Sequence, residues 1–312
     1  MIPAQECFAP QMLPATGARL RTATFAAPAR DRGAKDRGVC VLLNGQTEFI
    51  EKYFEVIDEL RGRGFTVVAL DWRGQGGSER LLPEEPLKAH IHDFTEYDAD
   101  LDALMDRVVE PLLSGRRPIA LAHSMGGHNL LRHLRRRPER FAATAYSAPM
   151  LMFSTRGQPR WLVRLVTAMM TMSGRGTDFV WGIAGRDPLT MTFADQIVTS
   201  DPVRFERTQQ LLRAHPELRL AGPTWAWVAA AWRSLNGFAL RNAAEQVTTP
   251  SLICGAGHDR ICITDDARRF ARRMPHAEYL ELAGCEHEIL MERNVFRAQF
   301  WNAFDRFMEK YV

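Results

Sequence analysis

The chain has 312 residues and a mass of 35.4 kDa, which is long for one compact domain and predicts a main domain with an insertion. Its composition, 46% hydrophobic and 25% charged, is typical of soluble globular proteins. The net charge of +3, from 40 basic and 37 acidic residues, is nearly balanced and so excludes a charge-based case for a nucleic-acid partner.

Cysteine usage and the N-terminal sequence bear on the cellular compartment. The five cysteines show no paired spacing and form no C-x-x-C, which argues against a zinc ribbon and a disulfide framework. Residues 1–20 lack a basic start followed by an apolar run, so we predict no secretory signal. The longest apolar stretch, residues 161–172, is interrupted by Arg164 and is too short to span a bilayer, but it could lie on one. We therefore expect a cytoplasmic protein with a peripheral contact at the inner face of the membrane.

Apolar runs of strand length alternate with segments of helix length along the chain. The predicted strands are residues 39–43, 65–70, 119–122, 141–146, 251–254 and 278–282, with an antiparallel edge pair around residues 19–26. The predicted helices are residues 50–63, 94–113, 125–137, 265–274 and 295–311. Several of these strands are almost continuously apolar, as strands buried on both faces are. The alternation predicts an α/β fold with a mostly parallel central sheet flanked by helices.

Residues 150–240 interrupt this alternation. The segment contains a methionine-rich apolar stretch and then Trp225, Trp227 and Trp232, and several prolines punctuate it. We interpret residues 150–240 as an inserted helical cap, and residues 1–149 and 241–312 as the catalytic core. Most of these side chains are expected to pack a small second core, while methionine and aromatic groups also suit the wall of a pocket for a flexible acyl chain.

The strongest chemical signal is the sequence AHSMGG at residues 122–127, which directly follows a predicted strand and directly precedes a predicted helix. A serine on such a sharp turn points outward above the carboxyl edge of the sheet, and small neighbours let the backbone close around it. Ala122 stands where the usual G-x-S-x-G pattern has a glycine. The context predicts that Ser124 is a nucleophile rather than a serine that caps a helix.

A serine hydroxyl needs a base within hydrogen-bond reach, and in this turn type the acid and the histidine follow later in the chain. Asp259 and His287 each follow a predicted strand, so both should lie at the carboxyl edge of the sheet. We predict Asp259 as the acid and His287 as the base. The alternatives are weaker: His258 adjoins the acid, His276 precedes the last strand, and the pair Asp265 and Asp266 should cap a helix.

Two backbone amides are predicted to stabilise the developing oxyanion. One is the amide of Met125 at the start of the helix, and the other is the amide of Gln46 after the strand at residues 39–43. The sequence DWRGQGGS at residues 71–78 is glycine-rich but lacks a phosphate-binding lysine, so we expect it to close the loop beside the nucleophile. The histidines at positions 123, 128 and 133 do not share a helix face, and His90, His92 and Asp93 form an isolated trio in a loop, so we predict no metal and no cofactor.

Five motifs in this order resemble the lysophospholipase L2 and monoacylglycerol lipase branch of the α/β-hydrolases, and the likeness runs from about residue 15 to the C-terminus. They are NGQTE at 44–48, DWRGQGGS at 71–78, AHSMGG at 122–127, DRI at 259–261 and HEIL at 287–290. The resemblance implies an α/β-hydrolase fold and places the family's catalytic serine, acid and histidine on Ser124, Asp259 and His287. Relatives often have His-Gly where this chain has Asn44-Gly45.

The resulting hypothesis is a serine hydrolase that cleaves carboxylic esters through an acyl-enzyme. The cap composition and the resemblance favour a small-molecule or lipid ester, such as a lysophospholipid or a monoacylglycerol, as the binding partner. Two alternatives stay open: a peptidase like the related serine aminopeptidases, which acidic cap residues facing Ser124 would favour, and a hydrolase-fold binding protein without turnover. The sequence carries no indication of the oligomeric state.

Overall fold

An eight-stranded sheet forms the centre of the protein. The computed structural model describes residues 3–27, 36–240 and 242–312. The strands of the sheet in chain order are β1 (Gln11–Ala15), β2 (Ala18–Phe25), β3 (Gly38–Leu43), β4 (Phe65–Leu70), β6 (Ile119–His123), β7 (Ala143–Ser147), β9 (Ser251–Ala256) and β10 (Ala277–Leu282). They lie in the order β1-β2-β4-β3-β6-β7-β9-β10. The short strands β5 (Lys88–Ala89) and β8 (Gly222–Pro223) form a separate parallel pair.

The predicted sheet is confirmed in both direction and position. All neighbouring pairs from β4 to β10 are parallel, whereas β1 pairs antiparallel with β2, and β2 antiparallel with β4. Every residue of β6, β7 and β9 is buried, which explains their almost continuously apolar sequences. Because parallel strands end at one edge, this arrangement brings the loops after β3, β6, β9 and β10 together.

Helices cover both faces of this sheet. In chain order they are α1 (Pro3–Glu6), α2 (Phe54–Gly62), α3 (Thr95–Leu104), α4 (Ser124–Arg136), α5 (Arg160–Met172), α6 (Pro202–Ala214), α7 (Trp225–Ala239), α8 (Thr264–Ala271) and α9 (Asn294–Met308). The apolar residues of α2 and α9 share one buried cluster, and those of α3, α4 and α8 share another. The two clusters are the cores on opposite sides of the sheet.

One local prediction about helices is wrong, and one predicted helix changes its type along its length. The predicted helix 94–113 is helical from Thr95 to Leu112, but after α3 it continues as a π turn (Met105–Val109) and a 3₁₀ turn (Glu110–Leu112), and Pro111, which has no N–H, lies in the last of these turns. Asp265 and Asp266 do not cap α8. They lie in its first turn and pair with arginines one turn later. The N-cap position of α8 is occupied by Ile263, whose side chain makes no capping hydrogen bond.

Residues 150–240, all of which the structure describes, contribute no strand to the eight-stranded sheet. They contain α5, α6 and α7, and α7 packs directly on the core. There the Trp227 indole N–H lies 3.3 Å from the Tyr97 hydroxyl, and the Ser234 hydroxyl lies 2.6 Å from Nε2 of His128 on α4. In the described part of the chain, no helix combines the length and the apolar character needed to cross a bilayer.

Candidate active site

Ser124 occupies a strained turn between β6 and α4. Its φ of 50° lies in the left-handed region, which a non-glycine residue adopts only when its surroundings enforce it. Gly126 provides the space for this turn, because a Cβ there would lie 2.4 Å from the carbonyl oxygen of Asn44 and 2.5 Å from that of Leu43. A Cβ on Gly127 would lie 2.9 Å from Cβ of Pro149. Gly126 therefore lets α4 start directly against the end of β3, and Gly127 lets it pack against the segment after β7.

Gly126→Ala is expected to lower the free energy of unfolding by about 2 kcal/mol or more, because the added methyl group must displace backbone rather than a flexible side chain. Gly237→Ala is the matched control. Gly237 is also helical, but its added Cβ would have only Arg135 Nη1 within 4 Å, at 3.7 Å. There the higher helix propensity of alanine should stabilise the protein by roughly 1 kcal/mol. Urea unfolding midpoints measure both effects, and equal midpoints for the two variants would contradict this explanation of the turn.

The side chains of Ser124, His287 and Asp259 form one continuous hydrogen-bond chain. Nε2 of His287 lies 2.9 Å from Oγ of Ser124, and Nδ1 of His287 lies 2.7 Å from Oδ2 of Asp259. Oδ1 of Asp259 accepts the backbone amides of Ile261 and Cys262, each at 2.8 Å, so the carboxylate is held in a fixed orientation. The imidazole is therefore placed to take a proton from the serine hydroxyl while the carboxylate holds its other nitrogen.

The charged groups around His287 make its imidazole a better proton acceptor. Burial lowers the pKa of His287, but the carboxylate of Asp259 raises it, with help from Glu288 and Glu48, and the net shift is upward. The neighbouring His123, whose ring centre lies 4.8 Å from that of His287, behaves differently. Burial lowers the pKa of His123 to about 4, so it is neutral near pH 7 and adds no repelling charge.

The structure does not bring the alternative groups to Ser124. His258 is exposed, and its Nδ1 lies 3.1 Å from Glu286. His276 is exposed just before β10, at the opposite end of that strand from His287. Buried His90 lies 3.0 Å from the Thr224 hydroxyl. Within residues 3–27, 36–240 and 242–312, the one group of three possible metal ligands is Asp259, Cys262 and His287, whose ligand atoms lie within 4.8 Å of one another.

The loop after β3 approaches the nucleophile closely. A Cβ on Gly45 would lie 2.8 Å from Oε2 of Glu48 and 3.2 Å from Cβ of Ser124, so glycine is needed there for the close approach. Gln46 and Met125 both line the cavity at Ser124, and among the described residues neither backbone amide donates to a protein acceptor. These amides are the two predicted oxyanion donors, and their surroundings suit that role.

The loop at residues 71–78 supports the loop after β3. The Trp72 indole donates to the carbonyl of Asn44 at 2.9 Å, and the Gln75 amide donates to the carbonyl of Gly45 at 2.7 Å. Asp71, fully buried, accepts the backbone amides of Ile50 and Gly77. This glycine-rich sequence therefore fixes the loop that leads from β3 towards α2 and lies beside Ser124.

A cavity of about 530 Å³ opens at Ser124 between the core and residues 150–240. Its wall is largely apolar and comes from the loops after β7 and β9 and from α5, α7 and the segment before β8. The apolar side chains include Met125, Met150, Phe153, Leu162, Val163, Val166, Val180, Trp181, Ile183, Pro223, Trp225, Trp227, Val228, Ile261 and Cys262. Among the described lining residues there is no aspartate or glutamate, and the cationic side chains are those of Arg156 and Arg260.

Sequence reasoning missed a buried ionic cluster next to these groups. The Lys52 ammonium lies 2.8 Å from Glu48 and 2.6 Å from Glu288, and all three side chains are largely buried. The local signal was a glutamate and a lysine four residues apart, with Phe49, Ile50 and Glu51 between them. The link to Glu288 spans 236 positions and has no local signature.

Comparison with known proteins agrees with this architecture. The family model described as serine aminopeptidase, S33, matches residues 34–294. Lysophospholipase L2 of Escherichia coli (strain K12) is 30% identical over 280 residues, which cover 88% of this chain and 81% of that protein. The probable lysophospholipase L2 of Haemophilus influenzae is 24% identical over 272 residues, or 87% of this chain and 84% of that protein.

Solved structures of similar proteins share the fold. The monoacylglycerol lipase of Paleococcus ferrophilus superimposes with a TM-score of 0.70 at 22% identity, covering 93% of this chain and 98% of that one. A soluble variant of the Saccharomyces cerevisiae monoglyceride lipase has a TM-score of 0.74 at 17% identity, covering 98% and 96%. The chain therefore belongs to the serine aminopeptidase S33 family, in the lysophospholipase L2 and monoacylglycerol lipase branch of the α/β-hydrolases.

Proposed function

We propose that this protein is a serine hydrolase that cleaves carboxylic esters of lipids through an acyl-enzyme. The observation that carries the proposal is the hydrogen-bond chain from Asp259 through His287 to Ser124, which ends at the floor of an apolar cavity. The relatives named lysophospholipase and monoacylglycerol lipase support the ester chemistry.

The geometry fits a two-step reaction. Oγ of Ser124 attacks the ester carbonyl carbon while Nε2 of His287 accepts the hydroxyl proton, and the amides of Gln46 and Met125 hold the oxyanion. The tetrahedral intermediate collapses, the C–O bond breaks, and the alcohol leaves with the proton from His287. A water molecule then gives a proton to His287 and attacks the acyl carbonyl, which releases the carboxylic acid and restores the Ser124 hydroxyl.

The cavity favours an acyl chain over a peptide. Hydrocarbon is stabilised by contact with the methionine, aromatic and aliphatic wall through removal of apolar surface from water. A peptide's free α-amino group would need a carboxylate partner, and the described lining residues include none. The substrate class that this wall fits best is therefore a single-chain lipid ester, such as a lysophospholipid or a monoacylglycerol.

A labelling experiment and a turnover panel test this proposal. A fluorophosphonate probe should form an adduct on Ser124, and the protein should hydrolyse lysophospholipids or monoacylglycerols faster than aminoacyl amides. An intact protein mass unchanged by the probe would instead indicate a binding protein with this fold. Faster cleavage of aminoacyl amides than of any lipid ester would indicate a peptidase.

We also propose that residues 150–240 act as a cap that contacts a membrane surface through α5. This helix exposes Trp161, Leu165, Met169 and Met172, while its Leu162, Val163 and Val166 line the cavity. Trp161 is 68% exposed and Met172 is 87% exposed, and the half-exposed Arg160, which also pairs with Asp266, can meet anionic lipid headgroups. Lipid could then pass from the membrane directly to the cavity.

Replacing Trp161 and Met172 together with glutamate is expected to abolish flotation of the protein with anionic phosphatidylglycerol vesicles, because the apolar contact is lost and negative charge is added. Turnover of a water-soluble short-chain ester should remain within about threefold, since neither side chain lines the cavity. Val295→Glu on α9 is the control, because Val295 is also exposed but lies outside the proposed cap. Flotation unchanged in the double variant would rule out this contact.

A further inference from the structure

A buried lysine lies between the two loops that carry the candidate catalytic groups. The Lys52 side chain is 8% exposed, and its ammonium contacts one carboxylate on each side, that of Glu48 and that of Glu288. An ammonium buried to this degree is stable only when it is paired, and here both partners are also largely buried. The Glu48 and Glu288 carboxylates together raise the pKa of Lys52 against the effect of burial, so it remains protonated.

The Glu48 side of this bridge controls the loop that holds Gln46. Oε2 of Glu48 accepts the backbone amide of Gly45 at 2.5 Å and the hydroxyl of Tyr53 at 2.6 Å, while Oε1 receives Lys52. Burial raises the pKa of Glu48, but Lys52 lowers it with help from His123 and Tyr53, and the net shift is downward. An ionised Glu48 therefore fixes the turn on which the Gln46 amide depends.

The Glu288 side controls the loop that holds the base. Glu288 directly follows His287 in the chain, and its backbone amide donates to the carbonyl of Val198 at 2.8 Å. Its carboxylate receives Lys52 at 2.6 Å. The backbone of Glu288 is therefore held by residues 150–240, and its side chain is held by Lys52 of the core.

We propose that Lys52 is a positioning residue that locks the Gln46 loop and the His287 loop into one geometry, so that the oxyanion donor and the base act on the same substrate carbonyl. This inference rests on the proposed serine hydrolase function. Neither Glu48 nor Glu288 is bonded to the reacting atoms, so the bridge acts through the two loops. A displacement of about 1 Å in either loop is enough to cost on the order of 100-fold in rate.

The bridge also sets the charge that His287 experiences. The groups around the imidazole are the carboxylates of Asp259, Glu288 and Glu48, the ammonium of Lys52, the neutral ring of His123 and the thiol of Cys262. Glu286, two residues before Glu288, is engaged by Arg260 and His258. Lys52 opposes the Glu48 and Glu288 carboxylates, so its loss raises the pKa of His287 as long as both carboxylates stay ionised, whereas loss of the Glu288 charge lowers it.

Lys52→Met is therefore expected to reduce kcat/KM for a short-chain p-nitrophenyl ester by about 100-fold at pH 8, mainly through kcat. In the pH profile of kcat/KM for this variant, the acid limb should move to higher pH by about one unit. The reason is that His287 must be neutral to accept the serine proton, and its pKa is expected to rise. Lys52→Arg keeps a cation that can bridge two carboxylates and should recover most of the rate. Lys310→Met is the control, since it removes an exposed ion pair with Glu278.

Glu288→Gln provides a second test in which the hydrogen-bond acceptor for Lys52 is kept and the charge is removed. Its acid limb should move to lower pH, opposite to the shift in Lys52→Met. Partial unfolding lowers the rate but does not shift the acid limb of the pH profile in either variant. If Lys52→Met does not fold, the direction of the shift in Glu288→Gln tests the inference on its own. Wild-type-like kcat/KM in Lys52→Met, or an unshifted limb in Glu288→Gln, would overturn the inference.

Fluorophosphonate labelling separates this inference from the proposed function. A wild-type protein that the probe leaves unlabelled rejects the serine hydrolase and the positioning role together. A labelled wild type with equally fast labelling of Lys52→Met rejects the positioning role alone. The expected result is a labelled wild type and a labelling rate at least tenfold lower in Lys52→Met.

Discussion

Ser124→Ala is expected to lower kcat for ester hydrolysis by about six orders of magnitude, which leaves the residual enhancement of roughly 10³–10⁴ over water that the oxyanion donors and substrate binding alone support. The substitution removes the one atom that bonds Nε2 of His287 at 2.9 Å. His287 then has no hydroxyl to deprotonate, while the Gln46 and Met125 amides and the cavity remain. Substrate binding should therefore survive the loss of turnover, and a non-hydrolysed ester analogue should bind with similar affinity.

The protein contains a matched control for this experiment. Ser234 and His128 form another buried serine–histidine hydrogen bond, with Oγ 2.6 Å from Nε2. Burial and the nearby Arg132 lower the pKa of His128 to about 3, so this histidine is a poor base. Ser234→Ala should destabilise the contact between α7 and α4 by about 1 kcal/mol and keep most of the turnover.

Turnover and probe labelling together decide the outcome. Near-wild-type hydrolysis by Ser124→Ala would remove Ser124 from the mechanism. Loss of hydrolysis in both serine variants with loss of the folded circular dichroism spectrum would instead trace the effect to folding. The prediction requires a folded Ser124→Ala that carries no fluorophosphonate adduct and a folded Ser234→Ala that does.

The positions of the candidate site could be predicted because sheet geometry converts chain position into spatial position. Ser124, Asp259 and His287 each follow a strand that the sequence predicts, and parallel strands end at one edge, so three distant sequence signals indicate one place. The same logic located the loop after β3. A local sequence pattern cannot predict a contact between two loops that are distant in the chain. The bridge from Lys52 to Glu288 is such a contact.

The points at which the structure differs from the sequence analysis have the same physical origin. Helical spacing within residues 94–113 does not show that Pro111 changes the hydrogen-bond pattern of the final turns. Acidic residues near a helix start satisfy either a cap or a first-turn ion pair, and for Asp265 and Asp266 the available arginines on α8 decided between them. The close approach of Gly45 to Ser124 likewise depends on tertiary packing that its own neighbours do not specify.

Asp259→Asn is expected to lower kcat by about four orders of magnitude, because the orientation of the new amide can be deduced from the structure. Oδ1 of Asp259 accepts two backbone N–H groups, those of Ile261 and Cys262. In the variant, the amide oxygen must take that place, which leaves the NH₂ group facing Nδ1 of His287. That nitrogen must then accept, the imidazole proton moves to Nε2, and the lone pair that should take the Ser124 proton is lost.

The pH dependence and a control complete this prediction. Asp259 raises the pKa of His287, so its replacement should shift the acid limb of the remaining activity to lower pH, opposite to the shift expected for Lys52→Met. Asp265→Asn changes an exposed acid in the first turn of α8 and should leave kcat within about twofold. A loss in Asp259→Asn of tenfold or less would mean that His287 obtains its productive tautomer without Asp259, and the assigned role of this carboxylate would then be wrong.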